Sequence, residues 1–305
     1  MAKRSSRRKH MISVVIPSYN RRDSMLELLA NVSAQEEVEF EIIVVDDQSP
    51  DDSVEAIRNA FPKVRLFVNE KNGGPAVTRN KGIKEAKGDI IVGFDSDVTV
   101  PDRFCLKKVA ATFAELPQAS GLAFRLLQPD ETSEDYARWW HPVPIEKWAN
   151  QRFKTDYFSG TGYAFRTATL REAGMYPEIL YMHYEEVELA FRILDLGGDI
   201  IYCPNITVIH HEGQVSRRSE IKEFYKHRNQ WLITIACYPF FRGIGYILPR
   251  TVFQFLTAIR NRHLGSYFRA LSSARKLGSI RFTDRKPLRN ETFHRIKSFS
   301  KGCSL

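Results

Sequence analysis

The stretch "GDIIVGFDSD", residues 88–97, decides how the rest of the chain is interpreted. Its apolar part, Ile90 to Phe94, has the length and composition of a buried parallel strand. Directly after it come two carboxylates separated by one residue, Asp95 and Asp97. Because like charges repel each other, we expect a positive charge to lie near both carboxylates at the end of this strand.

Upstream of this stretch, short apolar runs alternate with segments whose apolar residues recur at helical spacing. The runs predict strands at 12–16, 40–47, 64–69 and 89–95, and the periodic segments predict helices at 23–35, 50–61 and 73–86. Strands that alternate with helices in this way are typical of βαβ units. The sequence therefore predicts an α/β fold with a mostly parallel central sheet flanked by helices.

Three polar clusters follow predicted strands, at residues 17–20, 46–49 and 95–97. In open α/β sheets, ligands bind outside the carboxyl ends of the strands. Any one cluster could be an ordinary turn or helix cap. Three of them at the same edge of the sheet indicate a ligand site.

The absence of two common phosphate-binding motifs limits the ways in which this site could bind a ligand. No GxGxxG follows the first strand and no GxxxxGKS occurs, which excludes the usual dinucleotide and P-loop phosphate cradles. Asp95 and Asp97 are instead suited to share Mg²⁺ or Mn²⁺, bound together with substrate phosphates. A nucleoside diphosphate leaving group would complete such a site, and the cation would offset the repulsion between the two aspartates.

Composition limits the class of protein. The chain has 305 residues, of which 43% are hydrophobic, enough for a substantial core. Its four cysteines are widely spaced without a CxxC pair, so neither a disulfide framework nor a cysteine metal site is indicated, and a cytosolic setting is expected. The net charge is +9, and residues 1–10 form a basic run that is expected to be a disordered tail.

Residues 216–305 are aromatic and basic and are predicted to form a helical C-terminal extension. The longest apolar runs, 231–241 and 243–248, fall short of the roughly 18–20 residues that cross a bilayer. Two interpretations remain open: helices that pack on the rest of the protein or on a second subunit, and helices that lie on an anionic membrane surface. Nucleic-acid binding is disfavoured, because no RNP-like, zinc-finger or helix-turn-helix pattern occurs.

Five segments in order along residues 11–215 resemble the family 2 glycosyltransferases, which have the GT-A fold. These segments are "SVVIPSYNR" (13–21), "IIVVDDQSPDDS" (42–53), "NGGPAVTRNKGI" (72–83), "GDIIVGFDSD" (88–97) and "YEEVELAFRILDLG" (184–197). The resemblance implies inverting transfer of a sugar from a nucleotide-sugar to a hydroxyl of a saccharide or lipid-linked saccharide, with Mn²⁺ or Mg²⁺. It suggests cell-surface polysaccharide or glycolipid synthesis, in the cytoplasm or at the inner face of the plasma membrane.

Carried over residue by residue, the resemblance assigns a nucleotide site and a metal site. The nucleotide residues are Pro17, Tyr19, Asn20, Asp46 or Asp47, Arg79 and Asp95. Asp97 is expected to bind the metal directly, and Asp95 to contact the ribose or to reach the metal through water. His210 is the favoured further metal ligand over the adjacent His211, because it shares strand parity with Val208.

The catalytic base of the family lies in a Glu-Asp-x-Asp motif, which here reads Glu185-Glu186-Val187-Glu188. The resemblance places the base at Glu186. An additional methylene changes the reach of the carboxylate, so Glu185 competes for the role. Gly160 and Gly162 lie in the segment that resembles the acceptor side, where glycine permits close backbone approach. The Glu-for-Asp changes also leave open a protein of the same fold that binds a carbohydrate or nucleotide without catalysis.

Overall fold

The computed structural model describes residues 11–211, 219–281 and 287–302. The strands are β1 Ile12–Ser18, β2 Phe40–Asp46, β3 Arg65–Val68, β4 Ile90–Phe94, β5 Val98–Thr99, β6 Ala119–Leu127, β7 Phe153–Thr155, β8 Gly162–Arg166 and β9 Asp199–His210. The helices are α1 Arg22–Ser33, α2 Ser53–Ala60, α3 Pro75–Glu85, α4 Cys105–Glu115, α5 Ile145–Trp148, α6 Thr167–Glu172, α7 Glu185–Asp195, α8 Ser219–Cys237, α9 Phe240–Arg260, α10 Leu264–Arg281 and α11 Asn290–Phe299. Short 3₁₀ turns lie at Tyr136–Arg138 and Glu178–Leu180.

One sheet has the strand order β3-β2-β1-β4-β8-β6-β9-β5, and β7 pairs with β9. The four strands predicted from the N-terminal alternation are neighbours and run parallel. Beyond β4 the sheet is mixed, because β8 runs antiparallel to both β4 and β6. This reversal brings the start of β8 to the carboxyl end of β4, where Gly162 lies opposite Phe94.

Helices cover both faces of the sheet, which explains why its central strands are apolar on both sides. Val14 and Ile16 of β1 belong to a buried cluster with α1 and α4, whereas Val15 belongs to a second cluster with α3 and α7. Leu28 of α1 and Leu189 of α7 are fully buried in these clusters. The predicted α/β fold with flanking helices is confirmed.

The C-terminal region is helical, as predicted. A third buried cluster joins it to the rest of the protein, and it includes Leu180, Phe191, Leu232, Ala274 and Leu288. None of the helices in the described ranges is long and apolar enough to cross a membrane. The expected basic tail at 1–10 and the expected boundary between 215 and 216 lie outside the described residues.

Candidate active site

A cleft of about 490 Å³ opens at the carboxyl ends of β1, β2 and β4. It brings together side chains from all three polar clusters that the sequence singled out, and adds the first turn of α7 and the end of β9. The lining residues include Pro17, Tyr19, Asn20, Arg21, Asp47, Arg79, Asp95, Asp97, Arg138, Trp140, Tyr157, Gly160, Thr161, Glu185, Glu186, His210 and Lys222.

Arg79 of α3 lies at the centre of the acidic groups in this cleft. Its side chain is only 4% exposed, and its Nη2 lies 2.6 Å from Asp95 Oδ1. Its Nη1 lies 3.4 Å from Glu185 Oε1 and 3.7 Å from Glu186 Oε1. Burial lowers the pKa of Arg79, but the negative charges of Asp95 and Glu186 raise it well above its usual value. One buried cation therefore links the aspartate at the end of β4 to the two glutamates at the start of α7.

Asp95 is held by the protein itself. Its Oδ1 accepts a hydrogen bond from Arg79, and its Oδ2 accepts one from the Thr161 hydroxyl at 3.3 Å. Burial raises the pKa of Asp95, but the charge and the hydrogen bond of Arg79 bring it below the ordinary value. Asp95 is therefore ionised, and its position at the cleft is fixed.

Asp97 faces the imidazole of His210. Asp97 Oδ1 lies 3.9 Å from His210 Nε2, and Asp97 Oδ2 lies 3.3 Å from Arg21 Nη2. The other ring nitrogen, His210 Nδ1, lies 2.8 Å from Asp135 Oδ2. A carboxylate that binds one ring nitrogen of a histidine fixes the orientation of the ring, and therefore the direction of the other nitrogen. In many metal sites, a histidine ligand is held by a carboxylate in this way.

His211 points elsewhere. Its ring Nε2 lies 3.0 Å from the Thr99 hydroxyl, and its backbone N–H donates to the carbonyl oxygen of Asp97 at 2.8 Å. The imidazole that faces Asp97 therefore belongs to His210.

The donor atoms fit a divalent cation that is only partly coordinated by protein. Within the ranges that the structure describes, no group of three or more His, Cys, Asp or Glu side chains is arranged to hold a metal. Asp97 and His210 offer one oxygen and one nitrogen, which suit Mn²⁺. Mg²⁺ and Mn²⁺ commonly take their remaining ligands from substrate phosphates and water, so two protein donors are consistent with such a site.

An unusual backbone turn directly precedes the paired glutamates, Glu185 and Glu186, which line the cleft. Tyr181, His183 and Tyr184 have φ values of 62°, 65° and 69°, a left-handed conformation that costs free energy in non-glycine residues. Helix α7 then begins at Glu185. Burial raises the pKa of Glu186, and it raises that of Glu185 well above the ordinary value, with the charge of Glu186 adding to the effect.

The two glutamates differ in access to the cleft. The side chain of Glu186 is 16% exposed, whereas that of Glu185 is almost completely buried against Arg79. The last glutamate of the motif, Glu188, points away and accepts hydrogen bonds from Arg192 at 2.6 and 2.9 Å. Glu186 is therefore the more accessible of the two at the cleft.

The two glycines of the acceptor-side segment have different surroundings. A Cβ on Gly160 would lie 2.5 Å from Glu186 Oε1 and would also overlap Arg79 Nη2, so this position requires glycine. Gly162 lies in β8, where a Cβ would face Val208 Cγ2 at 3.1 Å inside the fold. Only Gly160 lines the cleft.

The residues assigned to the nucleotide pocket are also placed unequally. Pro17, Tyr19 and Asn20 line the cleft together with Asp47. Asp47 is held by the backbone N–H groups of Gly73 at 3.0 Å and Gly74 at 2.8 Å and by the Asn69 amide at 2.8 Å.

Asp46 is fully buried and is not among the cleft residues. Its two oxygens accept hydrogen bonds from the backbone and hydroxyl of Ser49, at 2.8 and 2.6 Å. The Ser49 oxygen in turn accepts the N–H of Asn20 at 2.9 Å. Asp46 therefore shapes the loops beside the pocket, and Asp47 is the aspartate that reaches it.

Sequence reasoning missed the wall formed by Ala137, Arg138, Trp140 and Tyr157. Trp140 is 46% exposed and stacks on Tyr157, with ring centroids 5.6 Å apart. Arg138 lines the same wall, and Asp135 precedes it. The adjacent tryptophans at 139 and 140 were the feature of the sequence that could have indicated this wall. Trp139 packs inward and donates its ring N–H to the Val143 carbonyl, which leaves Trp140 at the cleft.

Comparison with known proteins gives a consistent picture. A model of glycosyl transferase family 2 matches residues 13–174, which is more than half of the chain. A dolichol-phosphate mannosyltransferase of Pyrococcus furiosus is 37% identical over 105 residues, covering 33% of this chain and 29% of the relative. The poly(ribitol-phosphate) β-N-acetylglucosaminyltransferase TarS of Staphylococcus aureus is 34% identical over 108 residues, covering 34% and 19%. The chain thus matches less than a third of the length of either relative.

Solved structures are similar over a larger part of the chain. TarS residues 1–349 in complex with UDP-GlcNAc have a TM-score of 0.61 at 20% identity, covering 87% of this chain and 80% of that one. The mannosyltransferase PcManGT of Pyrobaculum calidifontis, in complex with GDP-Man and Mn²⁺, has a TM-score of 0.58 at 18% identity, covering 95% and 79%. At these identities the similarity concerns the fold, which is of the GT-A type that the sequence predicted.

Proposed function

Because the chain belongs to glycosyl transferase family 2, we propose that it transfers a sugar from a nucleotide-sugar to a hydroxyl acceptor, with inversion at the anomeric carbon. The observation that carries the proposal is the convergence on one cleft of Asp95, the facing pair Asp97 and His210, and the two glutamates of α7. Buried Arg79 connects the first and the last of these groups.

The donor end of the cleft is the side of Tyr19, Asn20 and Asp47. We propose that these residues bind the nucleoside, and that Asp95 binds the ribose or reaches the metal through water. When bound by Asp97 and His210, Mn²⁺ or Mg²⁺ supplies positive charge to the leaving diphosphate. Asp135 keeps the His210 ring in the orientation that presents Nε2 to this position.

Glu186 is the proposed general base. Single displacement requires a carboxylate that accepts the proton of the acceptor hydroxyl as the hydroxyl attacks. Burial raises the pKa of Glu186, which makes it a stronger base than an ordinary glutamate. Glu185 then serves to hold Arg79, because its Oε1 faces that guanidinium from a fully buried position.

The acceptor in this proposal is a saccharide or a lipid-linked saccharide, in cell-surface polysaccharide or glycolipid synthesis. The names of two relatives give acceptors of a related kind, a polymer in poly(ribitol-phosphate) and a lipid in dolichol phosphate, although neither is itself a saccharide. The stacked rings of Trp140 and Tyr157 offer an apolar face of the kind that packs against a sugar ring.

We place the reaction in the cytoplasm, where nucleotide-sugars would reach the cleft from solvent. Three free cysteines, Cys105, Cys203 and Cys237, are buried within the described residues, and unpaired thiols are typical of a reducing compartment.

A binding screen tests the proposal. The purified chain is titrated with UDP-sugars and GDP-sugars in Mn²⁺ and in EDTA, and its unfolding temperature is recorded. Since a ligand of the folded state stabilises it by mass action, at least one nucleotide-sugar is expected to raise the unfolding temperature in Mn²⁺ and much less in EDTA. The absence of any shift across nucleotides, with the protein folded, would contradict the proposal.

A further inference from the structure

Helix α9 exposes more apolar surface than an ordinary surface helix. Only a narrow side of it is buried, at Gly243, Ile247, Gln254 and Ala258. The side that faces solvent is apolar, and its extreme members, Phe241 and Phe253, are 85% and 72% exposed. We define the α9 face as Phe240, Phe241, Ile244, Leu248, Val252, Phe253, Leu256 and Ile259. Contiguous exposed apolar surface of this kind marks an interaction site.

The charges around the α9 face are predominantly basic, although Glu220 of α8 lies 3.6 Å from His263, just after the end of α9. Residues 224–283 contain ten Lys or Arg residues and no Asp or Glu. Arg242, Arg250 and Arg260 belong to α9 itself. Arg250 and Arg242 pack their guanidinium groups over the rings of Tyr246 and Phe293, at 3.7 and 5.1 Å from the centroids. The face is therefore an apolar strip with basic residues beside it, and its partner is expected to be apolar and anionic.

Two occupants can be compared on charge. A second copy of the chain would place the same excess of positive charge against itself, which like-charge repulsion disfavours. An anionic phospholipid surface offers phosphates to the arginines and acyl chains to the aromatic residues. The helix contains Pro249 and three arginines and is not apolar enough to span a bilayer, so it would lie in the interfacial plane.

We propose that the α9 face inserts into the interface of an anionic lipid bilayer and holds the catalytic cleft beside the membrane surface. Helix α8, which precedes α9, connects this face to the cleft. The Asn229 amide of α8 lies 2.8, 2.7 and 2.8 Å from the carbonyl oxygens of Leu180, Met182 and His183, in the turn that precedes the paired glutamates. Lys222 of the same helix lines the cleft. The inference does not depend on the transfer reaction, since it rests on the surface alone.

Vesicle co-sedimentation of the full chain tests the inference. Vesicles of phosphatidylcholine are compared with vesicles that also contain phosphatidylglycerol, at low and high salt. Binding is expected to the anionic vesicles and to weaken with salt, because the Debye length shortens. The double variant Phe241→Ser/Phe253→Ser is expected to bind at least about tenfold more weakly, since both rings lose their apolar contact with the lipid.

A matched control distinguishes insertion of the α9 face from non-specific hydrophobic binding to the vesicles. Leu196→Ser removes an apolar side chain that is 53% exposed but lies outside the α9 face, so it should bind vesicles like the unmodified chain. Melting curves and Mn²⁺-dependent nucleotide binding of all variants establish that they fold and keep any donor site.

Equal vesicle binding by the double variant and the unmodified chain would overturn the inference, as would the absence of binding to anionic vesicles. Light scattering provides a second test, of the oligomeric state. If the unmodified chain were a dimer and the double variant a monomer, a second copy of the chain would cover the α9 face. That result would also overturn the proposed membrane contact.

Discussion

At the scale of single residues, the site depends on one buried arginine that serves three carboxylates. Arg79 holds Asp95 directly at 2.6 Å and lies within 4 Å of both Glu185 and Glu186. The family resemblance assigned Arg79 to the nucleotide site. It could not show that the guanidinium also faces α7, because that contact joins residues more than a hundred positions apart.

Glu186→Gln tests the assignment of the base. Glutamine keeps the size of the side chain but cannot accept a proton, so turnover should fall by about a hundredfold to ten-thousandfold. Donor binding in Mn²⁺ should survive, because the proposed nucleoside residues Tyr19, Asn20 and Asp47 belong to other loops of the cleft. Turnover can be measured as donor hydrolysis, in which water replaces the acceptor. Glu185→Gln is the matched variant and should have the milder effect; the reverse order would move the base to Glu185.

The pH dependence of turnover follows from the same group. A base acts only when deprotonated, and the pKa of Glu186 is raised above 4.5 by burial. The acidic limb of kcat/KM should therefore lie above the pH at which an ordinary glutamate titrates, with activity rising through it as pH increases. A limb that persists unchanged in Glu186→Gln would assign the titration to another group.

Gly160→Ala tests the close approach of the backbone to the acidic groups. The new Cβ would meet Glu186 Oε1 at 2.5 Å, so turnover should drop and the free energy of unfolding should fall by about 1–3 kcal/mol, as for other overpacked positions. Gly265→Ala is the control, because a Cβ there has no heavy atom within 4 Å. Urea unfolding and donor hydrolysis measure both effects, and equal results for the two variants would contradict the interpretation.

At the scale of elements, the N-terminal strands and helices could be predicted because each carries its own pattern. The apolar runs of β1, β2 and β4 are buried on both faces, and a run of that kind needs no knowledge of its neighbours. Strands β6 and β8 gave no comparable signal. Gly121 of β6 leaves room for the ring of Phe165, and Gly93 of β4 leaves room for Tyr163. Such cross-strand packing is set by the fold and is not visible along the chain.

Helix α8 is the element that holds the turn before the paired glutamates Glu185 and Glu186. Asn229→Ala removes the amide from the carbonyl oxygens of Leu180, Met182 and His183. The free energy of unfolding should fall by about 1–3 kcal/mol, because three buried carbonyl groups each lose one hydrogen-bond donor. Turnover should fall more than donor binding, since the turn leads directly into Glu185 and Glu186, whereas it reaches the nucleotide side through the Tyr181 hydroxyl, which donates to Asn72 Oδ1 at 2.7 Å.

The control for this variant is Asn261→Ala, at the exposed end of α9. It should leave turnover and urea unfolding close to those of the unmodified chain. If Asn229→Ala lowered stability without changing the ratio of turnover to donor binding, α8 would be a structural support with no positioning role.

At the scale of the whole molecule, a fold of the GT-A type is packed against C-terminal helices that present an apolar, basic face. The sequence indicated both the catalytic fold and the basic, aromatic extension. It left open whether that extension packs on the protein or meets a membrane. The structure shows that α8 and α10 supply the packed side, and that α9 turns its aromatic residues outward.

Metal-dependent turnover of a nucleotide-sugar tests the central claim most directly. Release of nucleoside diphosphate is measured for the unmodified chain and for Asp97→Ala, each in Mn²⁺ and in EDTA, with the donor that the binding screen selects. We expect release by the unmodified chain in Mn²⁺, little in EDTA, and little by Asp97→Ala in either, while the variant keeps its melting temperature. Equal release by Asp97→Ala and the unmodified chain in Mn²⁺, or full release in EDTA, would contradict this claim.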